Sequence, residues 1–139
     1  DEIPAVDDSV IEKYSHHSKA LKSISLSGCE HFTQLKWCLL IPQIHSIHAD
    51  HCNLVNPQPE DMPENFVCSV QALNIKGNNA IDDAGIRILA SHCKMVRKLD
   101  CSKLPRLTDQ GLDSITSSMQ DIKYLSVSHC PLLTQQGVL

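Results

Sequence analysis

Aromatic side chains are scarce: Tyr14, Phe32, Trp37, Phe66 and Tyr124 are the whole set in 139 residues. A core built on a few large rings is excluded, so the interior must come from Leu, Ile, Val, Ala and Cys, which suits small packing units used repeatedly. Apolar runs are equally short. The longest, Trp37 to Ile41, falls far below the roughly 20 residues that span a bilayer, and no basic-then-apolar leader opens the chain, so no membrane partner is expected. Nor is there a large excess of one charge. The formal charge is −4, and the densest basic group, Lys94, Arg97, Lys98, Lys103 and Arg106, is interrupted by apolar residues and an acid, which argues against nucleic acid as a partner. The seven cysteines contain no C-x-x-C pair and are odd in number, which predicts reduced thiols in the cytosol or nucleus rather than a disulfide framework. The chain opens on Asp1 and stops at Leu139 inside a pattern still in progress, so it is read as one domain over 1–139 and a piece of something longer.

What the sequence does have is a period. Val96-Arg-Lys-Leu99-Asp-Cys101 is matched by Ile122-Lys-Tyr-Leu125-Ser-Val127 and by Val70-Gln-Ala-Leu73-Asn-Ile75, each displaced by 26 residues. The same spacing relates Ile81-Asp-Asp-Ala-Gly85-Ile86, Leu107-Thr-Asp-Gln-Gly111-Leu112 and Leu133-Thr-Gln-Gln-Gly137-Val138. Upstream, Val6-Asp-Asp-Ser-Val10-Ile11 and Leu21-Lys-Ser-Ile24-Ser-Leu26 align at an offset of 75, and Ile44-His-Ser-Ile47-His-Ala49 supplies another copy. Five copies of L-x-x-L-x-L thus begin at 21, 44, 70, 96 and 122.

Each copy alternates like a strand, turns through polar residues, and continues with helical spacing. Asp82 and Thr108 stand where a side chain can accept the free amides of a first helical turn. Ile86, Leu89, Ala90 and Cys93 share one helical face, and Leu112, Ile115 and Met119 repeat it. Gly85 and Gly111 hold the same helical position, at a propensity cost of up to about 1 kcal/mol relative to Ala. Close approach of a neighbouring unit would compensate for that cost, and solvent exposure is the alternative. A strand and helix in about 26 residues cannot bury an apolar face alone, so the copies must stack. The expected architecture is an α/β solenoid of about five units, with parallel strands on its concave face and helices on its convex face.

The pattern Leu-x-x-Leu-x-Leu-x-x-Cys followed by Leu-Thr-Asp-x-Gly-Leu resembles the cysteine-containing class of leucine-rich repeats, as in F-box leucine-rich repeat and antagonist-of-mitotic-exit-network proteins. Ser25-Leu26-Ser27-Gly28-Cys29 and Ser126-Val127-Ser128-His129-Cys130-Pro131-Leu132-Leu133-Thr134 are most similar to it. Two repeats carry Asn78 and Leu104 where the others carry Cys29, Cys52 and Cys130. A short helix is expected over 33–40. Residues 53–66, with prolines at 57, 59 and 63, are read as an irregular acidic loop replacing a helix. It is either a tolerated insertion on the convex side or a partner-binding loop.

Cys29, Cys52 and Cys130 are expected to pack and to hydrogen-bond loop backbone, Cys93 and Cys101 to fill core positions, and Cys38 and Cys68 to be the candidate reactive thiols. His45-x-x-His48-x-x-His51-Cys52 invites a metal reading, but the repeat frame points these histidines in different directions, so no metal or other cofactor is expected. Aligning the strands puts Ser25, His48, Asn74, Asp100 and Ser126 in one row. That row holds the residue types of a hydrolytic triad, yet Asp100 would stand two strand spacings, about 10 Å, from His48. Catalysis is therefore not expected.

Flanking rows are Ser23, Ser46, Ala72, Lys98, Tyr124 and Ser27, Asp50, Lys76, Ser102, Ser128. Candidate partner-binding residues are Ser46, His48, Asp50, Asn74, Lys76, Lys98, Asp100, Ser102, Tyr124 and Ser126, with the helical side and the missing flanks as alternative contact regions. The expected role is a non-enzymatic module that binds protein. The resemblance implies a substrate-recognition part of a cullin-type ubiquitin ligase, whose partners would be a substrate or adaptor. The alternative is a structural scaffold held by neighbouring subunits of a large assembly.

Overall fold

A computed structural model describes residues 6–18 and 20–134; expectations that fall on 1–5, 19 and 135–139 lie outside the described residues. Helix α1 (Asp8–His17) precedes strand β1 (Ser23–Ser25), then come α2 (Lys36–Leu39) and β2 (Ser46–His48). A 3-10 turn at Pro59–Asp61 leads to β3 (Ala72–Asn74), α3 (Asp83–His92), β4 (Lys98–Asp100), α4 (Asp109–Ser118) and β5 (Tyr124–Ser126). The five strands form one parallel sheet in chain order, β1-β2-β3-β4-β5. Ser23, Ser46, Ala72, Lys98 and Tyr124 pair in one row, and Ser25, His48, Asn74, Asp100 and Ser126 in another, the rows expected from the 23- and 26-residue spacings.

Between those rows the central residue of each strand turns inward. Ile47, Leu73 and Leu99 are buried, whereas Ile24 and Leu125, on the outermost described strands, are half-buried. Ile86, Leu89, Ala90 and Cys93 of the α3 region, and Leu112, Ile115 and Met119 of the α4 region, complete the other side of the core.

The helices begin where the polar residues dictate. The Asp7 carboxylate accepts the amides of Ser9 and Val10 at 3.1 and 3.2 Å, Asp82 those of Ala84 and Gly85 at 3.0 and 3.2 Å, and the Thr108 hydroxyl that of Gln110 at 3.3 Å. The residue after the cap then reaches the following unit. Asp8 accepts the amides of Thr33 and Gln34, Asp83 that of Thr108, and Asp109 that of Thr134, each with the threonine hydroxyl as well. The helix expected over 33–40 covers only Lys36–Leu39, and the amides of Thr33 and Gln34 ahead of it are held by Asp8.

Residues 53–66 contain no α-helix, only the 3-10 turn, whose end is closed by the Gln58 amide on the Asp61 carboxylate at 2.8 Å. The segment is bound on both sides. Leu54 is buried, the Val55 amide donates to Thr33 O at 2.9 Å, and Asn56 exchanges two hydrogen bonds with Asp82 at 2.9 and 3.1 Å. It therefore fills the layer a helix would fill. A Cβ on Gly85 would lie 2.0 Å from Asn56 Oδ1, and one on Gly111 2.5 Å from Asp83 Oδ1. Of the two readings for these glycines, close approach of the preceding unit is the one found.

Candidate protein-interaction face

The face of the sheet turned away from the core is built from the strand residues between inward positions. Ser25, His48, Lys98, Tyr124 and Ser126 are exposed, and Ser46, Asp50, Asn74, Lys76 and Asp100 are half-buried. Tyr124, at 69% exposed, is the largest ring on this face and stands directly beside its register partner Lys98. Lys98, Asp100, Lys123, Tyr124 and Ser126 line an open hollow of about 360 Å³.

Ser102 does not belong to the accessible set. It is 2% exposed, and its hydroxyl is shared with Ser126 Oγ at 2.7 Å, the Ser128 amide at 3.2 Å and Ser128 Oγ at 3.0 Å. It ties the turn after β4 to β5, so its alignment with Asp50 and Lys76 in sequence does not translate into the same exposure. Asp50 takes the hydroxyl of Ser27 at 2.6 Å across one strand spacing. Asn74 and Asp100 each turn a side-chain oxygen back onto the amide two residues ahead, Lys76 at 3.0 Å and Ser102 at 2.9 Å. His48 bonds Ser46 at 3.3 Å, while Asn74 stands between it and Asp100 in the row.

Two further rows flank these, one at each end of the strands. At the strands' N-terminal ends run Lys22, His45, Gln71, Arg97 and Lys123. The carbonyls of the first four each accept two amides from the next strand, for example Lys123 and Tyr124 on Arg97 at 2.8 and 3.0 Å. Two consecutive residues are thereby displaced from the inward side, which simple alternation did not reveal. At the C-terminal ends run Gly28, His51, Gly77, Lys103 and His129, all with φ between 55° and 77°. Three of these are not glycine, and the His51 ring occupies the space a Cβ on Gly77 would need.

The turn position four residues beyond each strand end is structural. Cys52 Sγ donates to Leu26 O at 3.0 Å and Cys130 Sγ to Cys101 O at 3.2 Å, and Asn78 does the same to Ala49 O at 3.0 Å. Asn78 also donates to Ile75 O at 2.8 Å. Leu104, which cannot donate, sits where the equivalent carbonyl is already served.

All seven cysteines are unpaired, and only Cys29 is not fully buried. Burial pushes the Cys52 thiol up to about 11, and raises Cys29, Cys38 and Cys101 as well. Cys68 and Cys93 share a hydrogen bond that, with burial, holds Cys93 well above the ordinary thiol range. Cys38 and Cys68, the thiols expected to be reactive, are instead closed off by the core, at 0% and 2% exposed. Divergence from the repeat pattern was the wrong guide to access.

Among the described residues no group of three or more His, Cys, Asp or Glu is placed to hold a metal, and no helix is long and apolar enough to cross a membrane. His45 and His51 flank β2 rather than joining His48 within it. Neither a protein-family model nor a curated protein matches the chain.

Proposed function

We propose that the chain is a segment of a leucine-rich repeat solenoid acting as a non-enzymatic protein-interaction module. The observation that carries this reading is the outward face itself: five parallel strands in register display a polar surface around an exposed tyrosine. An open surface with a single large ring beside a cation and hydroxyls suits a protein contact, where Tyr and Arg side chains carry much of the affinity. It suits acyl or phosphoryl chemistry poorly, because Asn74 separates the Ser46–His48 pair from the Asp100 carboxylate that could orient the imidazole, and the open face offers no enclosed site. The unpaired cysteines favour a reducing compartment, cytosolic or nuclear.

Within this reading, the parent protein is a substrate receptor of a cullin-type ubiquitin ligase. The resemblance of the Cys/Leu-Thr-Asp pattern supports that role, and the Asp-to-Thr links between units favour the rigid-scaffold alternative equally. Affinity purification of the full-length parent separates the two: a cullin adaptor among its partners is expected, and a constitutive assembly without one would replace the receptor role by the scaffold. The face is tested by Tyr124→Ala with His48→Ala in the parent. Loss of about tenfold or more in affinity for the recovered partner, with unchanged circular dichroism, is expected. Unchanged affinity would move the contact to the helical side.

A further inference from the structure

The rows of the sheet surface separate charge in a way the composition conceals. Counting the three strand rows and both end rows, the surface carries Lys22, Lys76, Arg97, Lys98, Lys103 and Lys123, half of the twelve basic residues in the chain. Against these stand only Asp50 and Asp100, two of sixteen acids. A protein of formal charge −4 thus presents a sheet surface of net positive charge. Of the other described acids, Asp7 and Asp82 cap helices, Asp8, Asp83 and Asp109 link helical units, Glu60, Asp61 and Glu64 lie in 53–66, and Glu12, Glu30, Asp113 and Asp121 lie on helices or turns outside the five rows.

The positive charge is concentrated on β4 and β5. Arg97 and Lys98 are consecutive and exposed, Lys123 and Tyr124 are their neighbours on the next strand, and Lys98, Lys123 and Tyr124 line the same hollow. Among the described residues none of these cations has an ion-pair partner; the two ion pairs are His16 with Glu12 and Lys36 with Asp61, both elsewhere. Asp100, the one acid in the hollow, has an oxygen turned back to the Ser102 amide.

From this segregation we infer that the sheet surface takes an acidic, extended segment of a protein partner, its carboxylates seated on Arg97, Lys98 and Lys123 and its apolar part on Tyr124. The inference rests on the interaction-module reading and names the chemistry of the partner. Charge complementarity of this kind steers association and selects among partners. A protein segment fits better than nucleic acid: a nucleic-acid footprint requires a stripe of one sign with several stacking rings, and here Asp50 and Asp100 interrupt a surface with one large ring. Four strand spacings of about 4.8 Å accommodate an extended peptide of roughly six residues.

The test is fluorescence anisotropy of the chain with a labelled oligoglutamate peptide of about that length, beside a Gly-Ser peptide and oligothymidylate of matched length, at low salt and at about 0.15 M. Oligoglutamate is expected to bind in preference to both controls. Arg97→Glu/Lys98→Glu/Lys123→Glu should weaken it at least about tenfold, and Asp100→Lys should tighten it severalfold. Lys13→Glu/Arg87→Glu/Lys94→Glu, which makes the same change in net charge on exposed residues off the sheet surface, should leave it within about twofold. Absence of oligoglutamate binding, equal weakening by the two triple substitutions, or tighter binding of oligothymidylate would each overturn the inference. The outcomes also separate it from the underlying reading. If the parent's partner is lost with Tyr124→Ala/His48→Ala but kept with the sheet-surface triple, the acidic segment is wrong and the face stands; if both variants keep full affinity, the face itself is wrong.

Discussion

Asn78 is the residue whose removal should damage the fold most for its size. It is completely buried, its amide donates to Ala49 O and Ile75 O at 3.0 and 2.8 Å, and its oxygen accepts the Leu54 amide at 3.1 Å. Asn78→Ala leaves two carbonyls and one amide without these partners in a region closed to water. At about 1–1.5 kcal/mol net for each bond, the loss is about 3–5 kcal/mol, a large part of the roughly 5–15 kcal/mol that holds a typical domain together. Urea unfolding followed by far-ultraviolet circular dichroism should register this as a midpoint lowered by about 1.5–2.5 M, for a slope of about 2 kcal/mol/M. Asn78→Cys is the informative comparison. A thiol can restore the contact to Ala49 O that Cys52 and Cys130 make to Leu26 O and Cys101 O, but not the other two, so about 1 kcal/mol should return. If Asn78→Ala lies within about 1 kcal/mol of the parent sequence, or Cys is no better than Ala, the carbonyl-satisfying role of this turn position is wrong.

Three other outcomes follow from the packing and the titrating groups. Gly85→Ala and Gly111→Ala should each destabilise by about 1–3 kcal/mol in the same assay, although helix propensity alone would favour Ala by up to about 1 kcal/mol; a raised midpoint would contradict the close approach of Asn56 and Asp83. Iodoacetamide with mass-spectrometric mapping should label Cys29 before the other six thiols under native conditions, and early labelling of Cys38 or Cys68 would contradict their burial. The Asp7 carboxyl is held below its ordinary value of 3.8 by the Ser9 hydroxyl and then the Val10 amide, and Asp109 by the Thr134 hydroxyl and then its amide. A depressed acid contributes stability that is complete above its unfolded value and is lost as pH falls through its lower folded value. Stability should therefore decline below about pH 4, and Asp7→Asn/Asp109→Asn should flatten that decline; an equal decline in the variant would assign the acid sensitivity to other groups.

Strand register was legible in the sequence because parallel neighbours in one sheet must keep equal spacing, so the 26-residue displacement alone placed Lys98 beside Tyr124 and Asp100 beside Ser126. The helix caps were legible for a local reason, since a cap and the amides it accepts are two or three residues apart. What escaped were contacts between units. The pairing of Asp83 with Thr108 depends on how closely two helices approach, and Ser102 is buried because its hydroxyl meets Ser126 and Ser128, neither of which its position in a strand pattern discloses. The positive surface escaped for a different reason: alternation assigns one outward residue where the doubly accepting carbonyls turn out two, so Arg97 and Lys123 were not counted with Lys98. In residues 53–66 the prolines were legible in the sequence, while the anchoring of the segment through Leu54 and Asn56 required the partners Asn78 and Asp82 to be in place.

The hydrogen bonds that tie each strand unit to the next have a consequence for how the chain reaches this structure. From Lys22 with Gln43 to His92 with Gln58, they join residues between 21 and 34 positions apart, so each added strand closes a loop of nearly the same size. The entropy of closure grows only slowly with loop length, and no step along the sheet is much costlier than the one before it. Ordering can therefore begin wherever the local contacts are strongest, around Asn78 and the strands β3 and β4, whose central Leu73 and Leu99 are buried, and advance outward in both directions with repeated increments. Hydrogen-exchange protection should accordingly fall from β3 and β4 toward β1 and β5 rather than vanish at once across the sheet.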